Sequence, residues 1–165
     1  MQGDNSIMNE LNPDIFSAYD KGWALVTAGS MDDYNTMTIS WGGAGTLWGK
    51  PVATVYVKPC RYTHSYLDKN EYFTVSFFPE ECRKALVLLG TKSGRDGDKV
   101  AEAGLHPVAV GDSVGFAEAS ETLLCKKIYR QDMQRELMPA EAVEKFYKED
   151  EPHTIFIGEV LEILK

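Results

Sequence analysis

Nowhere does the sequence contain the roughly 18 uninterrupted apolar residues that a membrane-spanning helix requires. That excludes a helical membrane protein. The opening MQGDNSIMNELNPD lacks the basic and apolar blocks of a secretory leader, so a cytoplasmic chain is expected. Cysteine is scarce. Cys60, Cys82 and Cys125 are odd in number and form no CxxC, which argues against a disulfide framework and a zinc ribbon and suits a reducing compartment. His64, His106 and His153 stand far apart with no partner at metal-ligand spacing, so no metal is expected. Neither HExxH nor GxSxG occurs, and there is no Walker A motif and no GxGxxG following a strand. Positive charge is also short. Seventeen basic residues against 25 acidic ones leave a net charge of -8, which repels a phosphate backbone or an anionic membrane, so neither nucleic acid nor membrane is an expected partner. A single small anion differs, because two or three cations and a few N–H groups can hold it even on an acidic protein.

What is present reads as one domain over residues 1–165, with 1–20 a peripheral N-terminal segment and no repeat or linker. Strands are expected at 23–28, 36–41, 52–57, 72–78, 113–118, 122–130 and 154–164, with the turn between the first two at 31–35. Within 36–41, period-two alternation puts Met37, Ile39 and Trp41 on one face and Thr36, Thr38 and Ser40 on the other. A glycine-rich connection, Gly42 to Gly45, follows. Helical segments are expected at 63–69, from Pro79 with Cys82, Ala85, Leu86 and Leu89 as its stripe and Gly90 as its stop, at 98–103, and at 139–148. Strands adjacent in sequence and broken by single short helices fit a closed or nearly closed antiparallel barrel better than a doubly wound parallel sheet. The last strand is apolar on both faces in places, which a covering helix or a second subunit would explain.

Three segments have the residue types for ligand chemistry. Thr36, Thr38 and Ser40, with Asn35 before them and Gly42 and Gly43 after, offer hydroxyls and backbone groups along one strand edge, as a flat heteroaromatic ring requires. From alternation alone they belong to the solvent face of a strand. Arg61 brings a planar permanent charge and Thr63 a capping hydroxyl where a strand gives way to a helical turn, a pairing suited to a terminal phosphate or to an ordinary capped loop. The loop from Thr91 to Lys99 packs two glycines and three cations, the makings of a phosphate nest, with Asp96 and Asp98 available as caps. Cys60 lies beside Lys58 and Arg61 but has no identified base. Tyr56 is assigned to the core, and Trp41 and Trp48 suit either stacking or filling.

Taken in order, Asn35-Thr-Met-Thr-Ile-Ser-Trp41, Trp48-Gly-Lys-Pro51, Thr54-Val-Tyr-Val57, Arg61-Tyr-Thr63, Glu71-Tyr-Phe-Thr-Val-Ser76, Ser93-Gly-Arg-Asp-Gly-Asp-Lys99 and Ile157-Gly-Glu-Val160 resemble the flavin-reductase-like family, especially its flavoredoxin branch. The likeness runs from about Trp23 to the C-terminus. It implies a mainly β, antiparallel FMN-binding split barrel with interspersed helices that forms a homodimer. It also implies electron transfer from NAD(P)H or a redox protein donor through FMN to a small-molecule acceptor. Carried over by position, Asn35, Thr36, Met37, Thr38, Ile39, Ser40 and Trp41 would line the isoalloxazine and ribityl chain. Arg61 and Thr63 would bind phosphate, and Ser93, Gly94 and Lys99 would form a second flavin-contacting loop. The cofactor would do the redox chemistry, so no catalytic side chain is assigned. An electron carrier without nicotinamide turnover, or a barrel holding another small ligand, are the competing expectations.

Overall fold

A computed structural model describes residues 7, 10, 11 and 14–165. Most of residues 1–13, the outer part of the expected peripheral segment, therefore lies outside the described residues. Among the described residues there are nine strands: β1 Ala24–Ser30, β2 Asp33–Ile39, β3 Gly42–Leu47, β4 Lys50–Val57, β5 Tyr72–Phe77, β6 Pro107–Val110, β7 Ser113–Phe116, β8 Glu121–Asp132 and β9 Thr154–Leu164. Between them lie α1 Ile15–Ser17, which runs on into a π-turn, α2 Tyr62–Lys69, α3 Arg83–Thr91, α4 Lys99–Ala103 and α5 Ala140–Phe146.

Seven strands form one antiparallel sheet in the order β2-β1-β5-β8-β9-β4-β3, and β6 and β7 make a separate hairpin. The two edge strands, β2 and β3, are consecutive in the chain and separated only by Ser40 and Trp41. Three residue steps reach at most about 11 Å. The sheet must therefore curl until its edges meet, yet no ladder joins β2 to β3, so the barrel is split along that seam. Register shifts in the β8–β9 pairing at Leu124/Cys125 and Lys127/Tyr129 put bulges in the two longest strands, where a curled sheet needs extra bend.

The inward face carries Val26, Met37, Val55, Phe73, Leu123 and Phe156, and Tyr66 and Leu67 of α2 pack against the same cluster. On the opposite face of β1, Leu25 meets Ala85, Leu86 and Leu89 of α3, together with Val100 and Phe116. Several expectations shift in detail. The turn after β1 is only Met31–Asp32, because Asp33 to Asn35 pair with β1, and Gly29 has φ +116 where a Cβ would lie 2.3 Å from the Asp33 carbonyl oxygen. The glycine-rich connection 42–45 is strand β3, paired with β4, since glycine costs some β-propensity but forbids no ladder. The helix from Pro79 opens with a 3₁₀ turn, Glu80–Cys82, and Gly90 lies inside α3 rather than stopping it. Asp98 caps α4 by accepting from the Ala101 N–H.

Candidate functional site

The seam between β2 and α2 opens into a pocket of about 240 Å³ whose walls come from three elements. Asn35 and Met37 come from β2, Arg61 to Thr63 from the start of α2, and Ser93, Gly94 and Arg95 from the segment between α3 and α4, with Lys99 at its end opening α4. Asn35 fastens the three together. Its Nδ2 donates to Thr63 Oγ1 at 2.7 Å, while its Oδ1 occupies the space beside Gly94, where a Cβ would come within 2.1 Å. Any side chain at that position would have to displace the Asn35 amide. Ser93 Oγ accepts from the Arg95 N–H and turns the chain into the 3₁₀ segment Gly94–Asp96.

The electrostatics of this pocket are unusual for a chain of net charge -8. Lys99 is only 3% exposed, and its Nζ donates to the carbonyls of Leu89 at 3.2 Å and Lys92 at 3.0 Å. Arg61 Nη2 donates to the Gly90 carbonyl at 3.1 Å. Both cations thus gather on the carbonyl-rich end of α3, the negative pole of its dipole. Neither has a carboxylate partner among the described residues. Burial, and then repulsion from Arg61, pull the Lys99 ammonium down to about 8. A compact anion between them would relieve that repulsion and supply the missing countercharge. The residues present therefore fit a phosphate group.

A second hollow of about 270 Å³ shares Met37 and Arg61 with the first and continues past Thr38, Ile39, Ser40 and Trp41 to Tyr56, Lys58 and His153. Trp41 is 43% exposed, with Phe146 edge-on at 5.2 Å and the His153 ring at 5.3 Å. The Tyr147 hydroxyl lies 2.7 Å from His153 Nδ1. Burial first, and Lys58 second, pull His153 down to about 4, so its ring is neutral near pH 7. A third hollow of about 760 Å³ adjoins through Ser40, Trp41 and Tyr56. The result is an elongated groove with a cationic end and a flat, mostly apolar end, a shape suited to a ligand that joins a phosphate to an aromatic ring.

Of the residues singled out from sequence, Asn35, Met37, Arg61, Thr63, Ser93, Gly94 and Lys99 line the cationic pocket, and Met37, Thr38, Ile39, Ser40, Trp41 and Arg61 line the flat one. Thr36 lines neither. It is fully buried on the opposite face of β2, its hydroxyl 2.8 Å from Thr27 Oγ1 and donating to the Val26 carbonyl. The supposed solvent face of this strand is covered by α3, where Thr38 Oγ1 donates to the Leu86 carbonyl. Trp41 does not share the Met37 and Ile39 face, because β2 ends at Ile39. Thr63 caps nothing: Arg61 is the N-cap of α2, and the threonine hydroxyl accepts from the Asn35 amide while keeping its own hydrogen to donate. Tyr56, assigned to the core, is half-buried on the groove, and Trp48 is 67% exposed at the β3–β4 turn. Sequence reasoning missed Tyr62, Arg95, His153 and Tyr147. Arg95 was visible only as one of three cations in a loop, and nothing in the local pattern linked Tyr147 to His153.

A family model described as flavin reductase like domain matches residues 16–164. No curated protein matches the chain. Among solved structures, an FMN-binding protein from Thermus thermophilus with bound 1-cyclohex-2-enone aligns with TM-score 0.70 at 19% identity, over 94% of this chain and 76% of that one. Flavoredoxin from Methanosarcina acetivorans aligns with TM-score 0.71 at 18% identity, over 94% and 73%. The NADH:FAD oxidoreductase of Streptomyces globisporus C-1027, in complex with NAD and FAD fragments, aligns with TM-score 0.66 at 20% identity, over 87% and 74%. At these identities the likeness is one of fold.

Proposed function

The chain belongs to the flavin reductase-like family, and on that premise we propose that it is an FMN-binding oxidoreductase passing electrons from NADH, NADPH or a protein donor to a small acceptor. The observation that carries this reading is the groove in which the carboxylate-free cations Lys99, buried, and Arg61, half-buried, lie end to end with a wall ending at Trp41. When bound, FMN supplies the hydride and electron chemistry. The chain's own residues hold and shield it. Arg61, Lys99, Thr63, Ser93 and Gly94 take the phosphate end, Asn35 keeps their three elements in register, and Met37 to Trp41 lie along the ring and ribityl chain. Thr36 supports that strand from behind through Thr27. His153, held neutral beside the Tyr147 hydroxyl, places a polar ring at the flat end without adding charge.

The whole chain serves as one flavin-binding unit in this reading, and it works as a homodimer in the cytoplasm. What supports dimerisation is the outward face of β8 and β9, where Tyr129 is 42% exposed and Leu161 44% exposed, with Ile157 paired to Tyr129. Sedimentation analysis should give twice the monomer mass; a monomer at micromolar concentration would count against it.

The test of function is the visible spectrum of the purified protein, before and after adding FMN and then NADH or NADPH without oxygen. A bound flavin that bleaches with nicotinamide is the expected result. One that bleaches only with dithionite would make the protein an electron carrier, and no bound flavin at all would overturn the reading.

A further inference from the structure

The cationic pocket has a feature that phosphate binding in general does not require. Arg95, exposed on the Gly94–Asp96 turn, reaches back across the pocket to the opposite wall. Its guanidinium lies over the Tyr62 ring at 4.7 Å, and Nη1 donates to the Cys60 carbonyl at 3.4 Å. The side chain therefore bridges two of the three walls, from the α3–α4 segment to the start of α2. No carboxylate pairs with it among the described residues, and one bond to Cys60 leaves most of its five donors for a ligand. Three cations, Arg61, Lys99 and Arg95, then line a space of about 240 Å³, the third of them exposed.

We propose that the Arg95–Tyr62 bridge makes this pocket selective for a terminal phosphate monoester, so that the protein takes a mononucleotide flavin and discriminates against dinucleotides. The proposal rests on the flavin reading above and goes further by assigning specificity to a residue pair. A monoester phosphate carries between 1.5 and 2 negative charges near neutral pH and ends the ligand, so it suits a triply cationic pocket. A phosphate that continues into a second nucleotide keeps a single negative charge, and the Arg95–Tyr62 bridge ties together two of the walls past which its outgoing chain would have to leave. Stacking on Tyr62 holds the fork flat and so fixes where its donors point.

The experiment is a set of fluorescence titrations of flavin-free protein with FMN, FAD and riboflavin. It compares the parent, Arg95→Ala, and a control at an exposed cation away from the groove, Lys84→Ala, with circular dichroism to confirm folding. The parent is expected to prefer FMN to FAD by about tenfold or more, the worth of one charge-assisted contact. Arg95→Ala should lose about tenfold for FMN, leave FAD and riboflavin within about twofold, and so close the gap, whereas Lys84→Ala changes nothing. The proposal is overturned if the parent binds FAD as tightly as FMN, or if Arg95→Ala weakens both alike or neither. Failure of the flavin reading looks different: the parent then binds no flavin, riboflavin included, and both ideas fall together.

Discussion

At the scale of single residues, the cations of the groove divide by what surrounds them. The Arg61 side chain makes one hydrogen bond among the described residues, to the Gly90 carbonyl, and substitution leaves its backbone bonds in place, so Arg61→Ala should weaken FMN binding by about tenfold or more while the melting temperature of the flavin-free protein barely moves. Equal affinity in the variant would remove Arg61 from the site. Lys99 offers a sharper test because its ammonium is pulled down to about 8, against an ordinary value of 10.5. A dianion beside it favours the charged form, so protons must be taken up on binding when the pH lies between those values. Calorimetric heats of FMN binding near pH 9 should then vary with the ionisation enthalpy of the buffer, and the variation should vanish in Lys99→Met. Heats independent of buffer in the parent would mean that Lys99 is already fully charged in the empty pocket.

At the scale of elements, the site exists because β2, α2 and the α3–α4 segment converge, and the Asn35–Thr63 bond fixes two of them. Both residues are buried, Asn35 at 7% and Thr63 at 1% exposure. Thr63→Val keeps the shape but leaves the Asn35 amide without its acceptor, at a cost of about 1–3 kcal/mol. Urea denaturation of the flavin-free variant measures that cost, and a stability within about 0.3 kcal/mol of the parent would show that the amide finds another partner. The contrast with Arg61→Ala is the informative part: one change lowers affinity alone, the other lowers stability first. Helix α2 is anchored on its far side as well, through His64 to Thr154 at 2.8 Å and Tyr66 to Asp33 at 2.7 Å, which holds its N-terminal residues against the pocket.

At the scale of the whole molecule, the segment between β8 and β9 returns across the barrel seam and buries His153 against Trp41 and Tyr147. The folded chain holds this histidine at about 4, whereas an unfolded chain binds its proton near 6.5. The unfolded state therefore binds more protons between these values, and this histidine's contribution to stability falls as pH drops through that window. Melting temperatures from pH 7 to pH 4 should decline more steeply in the parent than in His153→Asn. Parallel curves would show that His153 titrates alike in the folded and unfolded chains.

Seven of the strands were legible from alternation and β-branched runs and the helices from their apolar stripes, and the motif order carried the family resemblance, because these are properties of neighbours along the chain; β3, rich in glycine, and the short β6 were not. Local pattern could not show that β2 and β3, two residues apart in sequence, are opposite edges of a curled sheet. Nor could it show that the hydroxyl face of β2 lies under α3 rather than in water, since alternation separates two faces without saying what covers either. Thr36 and Thr38 look alike in sequence and part company in space, one buried against Thr27 and the other reaching the groove. Sequence alone determined the types of element, the acidic balance and the residues with phosphate chemistry. Tertiary structure alone decided which of them meet, because Asn35, Arg61 and the stretch from Arg95 to Lys99 lie far apart in the chain and become one pocket only when the sheet curls and α2 and α3 pack on its two faces.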